Sequence, residues 1–367
     1  RDCLLSRGLG DVYKRQIFYR RISFAYNMGS QKPVCVSVCI YPAALLCKGN
    51  GIAFRKNPFS RETPEDTGKV RGNRGMIAVK IGDGMGNQLF NYACGYAQAR
   101  RDGDSLVLDI SECDNSTLRD FELDKFHLKY DKKESFPNRN LGQKIYKNLR
   151  RALKYHVIKE REVYHNRDHR YDVNDIDPRV YKKKGLRNKY LYGYWQHLAY
   201  FEDYLDEITA MMTPAYEQSE TVKKLQEEFK KTPTCAVHVR GGDIMGPAGA
   251  YFKHAMERME QEKPGVRYIV FTNDMERAEE ALAPVLESQK KDAVGQAENR
   301  LEFVSEMGEF SDVDEFFLMA ACQNQILSNS TFSTWAAYLN QNPDKTVIMP
   351  DDLLSERMRQ KNWIILK

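Results

Sequence analysis

The stretch CAVHVRGGD, residues 235–243, decides the fold class of this chain. Residues 235–239 are apolar apart from His238 and predict a strand that is buried on both faces within a parallel sheet. Arg240, two glycines and Asp243 follow the strand directly. Ligands of open α/β sheets bind beyond the carboxyl ends of the strands, and an arginine beside glycines that let the backbone come close suits a phosphate. The alternative is a surface turn in which Arg240 and Asp243 form a solvated ion pair.

Strand and helix patterns alternate on both sides of this stretch. In addition to 235–239, strands are predicted at 76–81, 105–110, 267–272, 301–304, 325–328 and 346–350. Helices are predicted at 88–101, 198–212, 216–231, 251–262, 275–288, 312–323 and 334–341. Such alternation is typical of parallel sheets. The sequence therefore predicts an α/β fold of two Rossmann-like, doubly wound domains that face a cleft, at 76–215 and 216–367.

The composition is that of a soluble globular protein with room for two domains. The chain has 367 residues, of which 42% are hydrophobic and 29% charged, and its formal net charge is +5. Basic residues cluster between positions 129 and 190, a tyrosine-rich region in which helices and long loops are expected. This excess of positive charge is too weak to predict nucleic-acid binding. It suits an anionic small ligand or peripheral contact with a membrane surface.

The cysteines favour a reducing, cytoplasmic compartment. The eight cysteines contain no CxxC pair and no zinc spacing, and Cys235 and Cys322 lie in apolar patterns that predict buried free thiols. No apolar run reaches the length of a membrane span; the best one, at 33–47, is short and contains two prolines. Residues 1–75 are expected to be a non-native or disordered extension, because their opening resembles translated adapter sequence and Met76 begins a clean strand.

The segment GDGMGNQ, residues 82–88, joins the first predicted strand to its helix. Glycines allow a tight turn, and a helix N-terminus offers N–H groups to an anion. One interpretation is a dinucleotide fingerprint with Asp109 as the ribose-binding acid, although Asn87 stands where the third glycine of GxGxxG belongs. Asn87 and Gln88 instead offer amide donors and acceptors, which suit a sugar. A glycine turn needed only for packing is the third interpretation.

The segment SNSTFS, residues 328–333, joins another predicted strand to a helix. Its hydroxyls and the N–H groups of a helix N-terminus make a second anion site, richer than an ordinary N-cap requires. The three segments thus supply an amide-rich turn, an arginine and a hydroxyl-rich helix start, each at a strand end. Converging on one cleft, they would bind a nucleotide diphosphate and a sugar.

Together these segments resemble the glycosyltransferase family that contains the bacterial α-1,2-fucosyltransferases. The family's GGLGNQ(M/L)FQYA is matched by GDGMGNQLFNYA at 82–93, its HxRRxD by HVRGGD at 238–243, and its (A/S)NSTFSWWxAWL by SNSTFSTWAAYL at 328–339. Further segments in the family's order are GYWQ at 193–196, FTND at 271–274 and DEFFLMAACQNQIL at 314–327. The resemblance extends from Met76 to about Pro350.

The resemblance implies a GT-B fold and an inverting, metal-independent transfer of L-fucose from GDP-fucose to the 2-hydroxyl of a galactose-terminated glycan. By its position in the motif, Arg240 should hold the β-phosphate and neutralise charge on the departing diphosphate, as a metal ion does elsewhere. The other implied substrate contacts are Ser330, Thr331 and Ser333 at the phosphates, His238 and Asp314 at the guanine or ribose, Asn87 and Gln88 toward the fucose or acceptor, and Asp243, Asn329 and Phe332.

The sequence departs from the family pattern at three positions. Gly241 replaces the second arginine of HxRRxD, so one positive charge is absent, Asp83 replaces a glycine, and Tyr192 stands where acidic residues are common. Inverting transfer needs a base near the acceptor hydroxyl, or an early dissociative transition state that makes a base unnecessary. No acid lies between Asp243 and Tyr251, where related fucosyltransferases of another family have one, and Asp83 is the acid expected to act as the base. A DxD match at 312–314, the metal motif of other glycosyltransferases, begins a predicted helix rather than ending a strand, so no metal is expected.

Two other functions are consistent with parts of the sequence. An NAD(P)-dependent oxidoreductase would use the 82–87 loop and Asp109, but it leaves HVRGGD and NSTFS unexplained. A non-catalytic protein that binds sugar nucleotides or glycans is suggested by Gly241, because the missing arginine weakens the case for catalysis.

Overall fold

The described residues of the computed structural model are 75–117, 119–135, 155–160, 176–182, 188–241, 247, 249–292 and 301–366. They belong to the unit that spans Asn57–Lys367. The predicted extension at 1–75 lies outside the described residues except for Gly75, and Asp243 lies outside them as well.

The first of two parallel sheets has five strands in the order β3-β2-β1-β5-β4, and each neighbouring pair is parallel. The strands are β1 (Met76–Lys80), β2 (Ser105–Asp109), β3 (Lys132–Glu134), β4 (Tyr155–Lys159) and β5 (Asn188–Tyr192). The helices of this half and the connection that follows it are α1 (Met85–Asp102), α2 (Leu205–Met211) and α3 (Glu220–Lys231). The middle residues of β1, β2 and β5 are buried, as expected of parallel strands covered on both faces.

The second sheet has six strands in the order β11-β10-β9-β6-β7-β8, again with parallel neighbours. The strands are β6 (Thr234–Val239), β7 (Arg267–Thr272), β8 (Leu301–Phe303), β9 (Asn324–Ile326), β10 (Val347–Pro350) and β11 (Ile364–Leu366). The helices are α4 (Gly249–Glu262), α5 (Met275–Asp292), α6 (Asp312–Ala321), α7 (Thr331–Leu339) and α8 (Leu353–Met358). All six residues of β6 are buried, as its apolar run predicts.

Each sheet has a point at which the strand order reverses along the chain. In the first sheet β1 lies beside β5, and in the second sheet β6 lies beside β9. Ligands of doubly wound sheets bind beyond the carboxyl ends of strands at such a point. The segments after β1, β6 and β9 are the three that the sequence singles out. The predicted α/β architecture of GT-B type, with two doubly wound parallel units, is confirmed.

The two sheets share one hydrophobic core. A continuous cluster of buried residues draws on β1, β2, β6 and β10, through Val79, Leu108, Ala236 and Val347 among others. Within the cluster α1 and α7 pack together through aromatic rings: Phe90 meets Trp335 edge-on with centroids 5.2 Å apart, and Phe201 stacks on Trp335 at 5.5 Å. Each such buried ring contributes about 1.5–3 kcal/mol through removal of apolar surface from water. Packing therefore holds the first turns of α1 and α7 at a fixed spacing.

The start of α1 differs from the prediction. The helix begins at Met85 rather than at residue 88, because Gly84 is the N-cap, with extended backbone at φ −69° and ψ 163°. Asn87 and Gln88 therefore lie in the first turn of the helix and not in the preceding loop. The predicted helix at 198–212 is also shorter, since 3₁₀ turns at Leu198–Tyr200 and Glu202–Tyr204 precede α2.

Other differences arise where the apolar pattern is weak. Helices and loops are predicted for 129–190, yet β3 and β4 are strands, so the prediction is wrong there. β3 is the exposed sequence KKE, which has no apolar alternation to indicate a strand. α8 and β11 follow the last predicted element.

Cys235 and Cys322 are free thiols with no exposure, as predicted. Among the described residues, no helix has the length and apolar character to span a bilayer.

Candidate active site

The loops that follow β1 and β9 touch each other across the two sheets. Thr331 Oγ1 donates a hydrogen bond to Asn87 Oδ1 over 3.0 Å. Gly86 faces the backbone of the α7 start so closely that a Cβ atom on Gly86 would lie 2.6 Å from the nitrogen of Phe332. Gly86, Asn87, Ser330, Thr331 and Phe332 form what we call the loop junction. Two of the three predicted segments therefore meet.

The loop junction places two helix N-termini side by side. α1 begins at Met85 and α7 at Thr331, and neither of these described helices has an acidic residue in its first turn. The N–H groups of a first turn have no intrahelical partners, and each helix N-terminus carries a partial positive charge. An anion beside the start of α7 would therefore be stabilised by that helix.

Arg240 joins the third segment to the loop junction. It follows β6 directly, is half-buried, and its Nη1 donates to Ser330 Oγ over 3.4 Å. Ser330 is 1% exposed, and its carbonyl oxygen accepts hydrogen bonds from the hydroxyls of Ser333 and Thr334. The guanidinium thus adds a full positive charge at the N-terminus of α7. This combination of charge and oriented N–H groups suits a diphosphate.

His238 lies two residues before Arg240 on β6 and is 7% exposed. Its Nδ1 lies 2.8 Å from Ser328 Oγ, and its ring packs against Phe332 with centroids 5.8 Å apart. Burial, with a smaller effect from the charge on Arg240, lowers the pKa of His238 to about 3. The imidazole is therefore neutral near pH 7. Its predicted contact with guanine or ribose stays a prediction.

The rest of the SNSTFS segment is mainly structural. Ser333 is fully buried and donates to the carbonyl oxygen of Ser330 over 3.3 Å. Its phosphate contact stays a prediction. Phe332 packs against the rings of His238 and Phe316. Asn329 lies in the turn before α7 and is partly exposed. Ser330 and Thr331 are the members of the segment whose side chains connect to the other two loops.

Asn87 and Gln88 have different surroundings. The Asn87 amide oxygen accepts from Thr331 Oγ1 and from Gln196 Nε2, the latter over 2.7 Å, so the NH₂ group points away from these two donors. Gln88 is fully buried. Its Nε2 donates to the carbonyl oxygens of Asp83 and Asp120, both over 2.8 Å, and its Oε1 accepts from the Glu122 N–H. The Gln88 side chain therefore holds two loops together, and its predicted sugar contact stays a prediction.

Asp83, the residue that replaces a family glycine, adopts left-handed backbone with φ 60°. Glycine reaches this region without cost, whereas a non-glycine residue there needs support from its surroundings. The Asp83 carbonyl accepts from Gln88, and the side chain is partly exposed. Burial, and secondarily the nearby Asp83 carboxylate, raises the pKa of the Tyr194 hydroxyl. The Asp83 carboxylate lies two residues before the start of α1. Its role as catalytic base stays a prediction.

Asp314 lies in the first turn of α6. Its Oδ1 accepts from the Tyr216 hydroxyl over 2.6 Å and its Oδ2 accepts from Ser311 Oγ over 2.7 Å. The Asp314 N–H in turn donates to Ser311 Oγ, so this pair caps the helix. Tyr216 also lines an open groove of about 530 Å³ together with His127 and Lys223. The predicted nucleoside contact therefore lies next to a groove, and its carboxylate already accepts from the Ser311 and Tyr216 hydroxyls.

A network of hydrogen bonds and an ion pair, which the sequence did not predict, holds Gln196, whose side chain donates to Asn87. Gln196, which donates to Asn87, has a carbonyl oxygen that accepts from Arg357 Nε over 3.4 Å. Arg357 is 5% exposed, belongs to α8 of the second sheet, and lies 4.0 Å from a Glu160 carboxylate oxygen. The other Glu160 oxygen accepts from the N–H groups of Tyr194 and Trp195. The GYWQ segment could have identified Gln196 from the sequence. Glu160 and Arg357 belong to none of the segments that match the family motifs.

Asp109 is not placed to bind a ribose. Its carboxylate is fully buried and accepts from the Tyr190 hydroxyl over 2.5 Å and from the Ser111 N–H over 3.1 Å. Gly86 packs against the α7 start and not against an open surface that could take a pyrophosphate. The dinucleotide interpretation of the 82–87 loop therefore lacks an accessible acid for the ribose and an open glycine turn for the pyrophosphate.

Gly241 has a structural reason to differ from the family arginine. A Cβ atom at this position would lie 2.1 Å from Asp274 Cβ and 2.7 Å from its Oδ2. The Gly241 N–H donates to Asn273 Oδ1 over 3.0 Å. Asp274 itself accepts from the Arg277 N–H in the first turn of α5. The FTND segment therefore occupies the space that a side chain at position 241 would need.

The raised pKa of Glu315, next to Asp314, predicts that the stability of the protein depends on pH. Burial, and secondarily Asp312, raises the pKa of Glu315 to about 7. The folded state holds this proton between pH 4.5 and 7 while the unfolded state releases it, so stability falls as pH rises through this window. We expect Glu315→Gln to raise the free energy of unfolding by about 1–2 kcal/mol at pH 8 and to leave it unchanged at pH 4.5. Urea titrations at both pH values test this, with the exposed Glu309→Gln as control. An equal gain at the two pH values would contradict it.

The known proteins that this chain resembles are named as glycosyltransferases of several kinds. The model of the family described as Glycosyl transferase family 11 matches residues 50–367. The O-antigen biosynthesis glycosyltransferase WbnK of Escherichia coli is 28% identical, over 78% of this chain and 99% of its own. An alpha-1,2-colitosyltransferase of Escherichia coli is 25% identical, over 72% and 87%. Among solved structures, fucosyltransferase NodZ from Bradyrhizobium matches 72% of this chain and 93% of its own with a TM-score of 0.43 and 17% identity.

Two parallel α/β sheets whose strand-end segments meet at the loop junction agree with the GT-B glycosyltransferase fold that the sequence predicts. The chain belongs to Glycosyl transferase family 11, whose model matches most of its length. The resemblance drawn from the three sequence segments is confirmed at the level of the family.

Proposed function

We propose that this protein transfers L-fucose from GDP-fucose to the 2-hydroxyl of a terminal galactose, with inversion, in the synthesis of a glycan or surface polysaccharide. The observation that carries the proposal is the hydrogen bond of Arg240 to Ser330 at the N-terminus of α7. Membership of the family supports glycosyl transfer. The names of the two relatives, one in O-antigen biosynthesis and one an α-1,2-transferase, support the acceptor class and the linkage.

In the proposed reaction the acceptor oxygen bonds to the anomeric carbon as the bond from that carbon to the β-phosphate oxygen breaks. The bonding pair passes to the phosphate, and GDP leaves with one more negative charge. Arg240 and the N–H groups at the start of α7 stabilise this charge, which is the task that a metal ion performs in other transferases. We therefore propose a metal-independent reaction with no cofactor.

The proton of the acceptor hydroxyl also needs a destination. We propose the Asp83 carboxylate as the group that takes it. Asp83 is partly exposed and lies in the segment between β1 and α1, whereas Arg240 follows β6. Attack from one side and departure on the other accounts for inversion.

The test is transfer from GDP-fucose to lactose by the purified protein, with linkage assignment by NMR. We expect an α-1,2-fucosylated product, no transfer from GDP-mannose or UDP-galactose, and an unchanged rate in EDTA. Binding of NADH in calorimetry without any response to GDP or GDP-fucose would overturn the proposal. Binding of GDP-fucose without turnover would instead identify a non-catalytic sugar-nucleotide protein.

Introducing the family arginine at position 241 should lower both the stability and the transfer activity of the protein. The new side chain would collide with Asp274, so we expect Gly241→Arg to lower the free energy of unfolding by about 1–3 kcal/mol. The same clash should lower transfer at least tenfold by displacing Arg240. The double variant Gly241→Arg/Asp274→Gly, compared with Asp274→Gly alone, should recover both losses in part. A more active Gly241→Arg single variant would show that only charge matters at this position.

We further propose a cytoplasmic protein that contacts the inner face of the membrane peripherally through the basic region at 129–190. The positive charge of this region supports the proposal, although 136–154, 161–175 and 183–187 lie outside the described residues. Sedimentation with phosphatidylglycerol vesicles, weakened by 0.5 M salt, is the expected result. Equal sedimentation with neutral vesicles would contradict it.

A further inference from the structure

One aromatic ring at the carboxyl edge of the first sheet is unusually exposed. Tyr194 follows β5 and is 49% exposed, the highest value among the large hydrophobic side chains of the described residues. Tyr192, at the end of β5, is 38% exposed. Parallel sheets normally bind ligands along this edge, so an exposed aromatic face here is a candidate contact surface.

The backbone beneath Tyr194 is fixed by Glu160. The N–H groups of Tyr194 and Trp195 donate to the same Glu160 oxygen over 2.7 and 2.8 Å. Gly193 lies so close to Glu160 that a Cβ atom would be 2.3 Å from the Glu160 Cβ, and Trp195 has a positive φ of 53°. The exposed ring therefore stands on a rigid turn, which lowers the entropy cost of using it to bind a ligand.

Acidic groups border the ring. The Asp83 carboxylate lies near enough to the Tyr194 hydroxyl to raise its pKa, in addition to the larger effect of burial, and Glu112 pairs with Lys80, whose ammonium lies 4.6 Å from the centroid of the Tyr192 ring. Ring faces take the apolar C–H side of a sugar, while carboxylates accept hydrogen bonds from its hydroxyls. Lys80 and Lys159, which lie over the Tyr192 ring, offset the charges of the two carboxylates. An exposed ring in a surface of mixed charge suits a neutral pyranose.

The position of Tyr194 matches the acceptor side of the proposed reaction. Two residues further on, Gln196 donates to Asn87 in the loop junction. Arg240 and Ser330 approach the same junction from the second sheet. A sugar packed on Tyr194 would therefore lie beside the segment that reaches the loop junction from the first sheet.

We propose that Tyr194 is the platform for the pyranose ring of the acceptor, and that it determines acceptor affinity. This proposal rests on the proposed function. Tyr194→Ala should raise the KM for lactose at least tenfold and leave the KM for GDP-fucose within twofold. Tyr194→Phe, which keeps the ring and loses the hydroxyl, should keep the KM for lactose within about threefold of the wild type.

Tyr130→Ala is the matched control. Tyr130 is also a partly exposed tyrosine, and its hydroxyl donates to Asp124 over 2.7 Å, but it precedes β3 and so lies at the amino edge of the sheet. Its loss should change neither KM. An unchanged KM for lactose in Tyr194→Ala would overturn the proposal, and so would an equal rise in both KM values, which indicates a structural role.

If Tyr194→Ala does not fold, a second measurement on the wild-type protein tests the proposal. Wild-type protein labelled with 3-fluorotyrosine, with Tyr194→Phe to assign the signal, should show a ¹⁹F shift of Tyr194 on addition of lactose with GDP. An unmoved signal at saturating lactose overturns the proposal. Failure of the proposed function gives a different result, because wild-type protein would then release no GDP from GDP-fucose.

Discussion

Arg240→Ala is expected to lower kcat for fucosyl transfer by about 10²–10³-fold, the usual cost of removing one donor that stabilises transition-state charge. Arg240 is the cation that bonds to the start of α7, through Ser330 Oγ at 3.4 Å. Without it, the N-terminus of α7 stabilises the leaving diphosphate with a partial charge alone. Steady-state release of GDP in the presence of lactose measures the effect.

Two further variants separate charge from geometry. Arg240→Lys keeps the charge and loses the planar fork of the guanidinium, so it should fall between alanine and the wild type. Arg277→Ala is the control, because Arg277 pairs with Glu280 on the surface of α5. Its activity should match the wild type. Arg240→Ala retaining a third or more of the wild-type kcat would remove Arg240 from the proposed mechanism.

Gly86→Ala is expected to show the second large effect. The added methyl group would lie 2.5 Å from Thr331 Oγ1 and 2.6 Å from the backbone nitrogen of Phe332. Backbone atoms at a helix start cannot yield easily, so we expect the free energy of unfolding to fall by about 1–3 kcal/mol. The displaced junction should also lower kcat about 10²-fold, since a misplacement near 1 Å has that cost.

Gly84→Ala is the matched control for this variant. Gly84 belongs to the same loop, has φ −69°, and a Cβ atom there would have no neighbour within 4 Å. It should cost only about 0.5 kcal/mol as an altered N-cap and leave kcat near the wild-type value. Urea titration and kinetics of both variants test the pair. Equal losses in Gly84→Ala and Gly86→Ala would show that the loop requires glycine flexibility rather than close contact.

The sequence predicts the second sheet well because its strands are short apolar runs. β6, β7 and β10 are buried along most or all of their length, and each is bounded by residues that end a strand or begin a helix. The segments after β1, β6 and β9 could be identified because they carry glycine, arginine and hydroxyl residues at strand ends. The hydrogen bond of Thr331 to Asn87 agrees with the inference that these segments lie together.

The roles of individual side chains could not be predicted in the same way. Gln88 and Ser333 have the residue types of a ligand site, yet both are buried and bonded to backbone carbonyls. Glu160 and Arg357 are nearly two hundred residues apart in the chain, and only the fold brings them to 4.0 Å. The strain at Asp83 follows from a backbone angle, which residue patterns do not encode unless glycine marks it.

The aromatic packing of Phe90, Phe201 and Trp335 has a consequence for how the protein moves. Parting the two sheets would expose these rings to water, at a cost similar to that of losing part of a folded core. We expect the halves to melt in one cooperative transition and not to swing apart as separate bodies during turnover. Substrate entry and product release would then depend on the strand-end loops, while the distance between donor and acceptor stays constant.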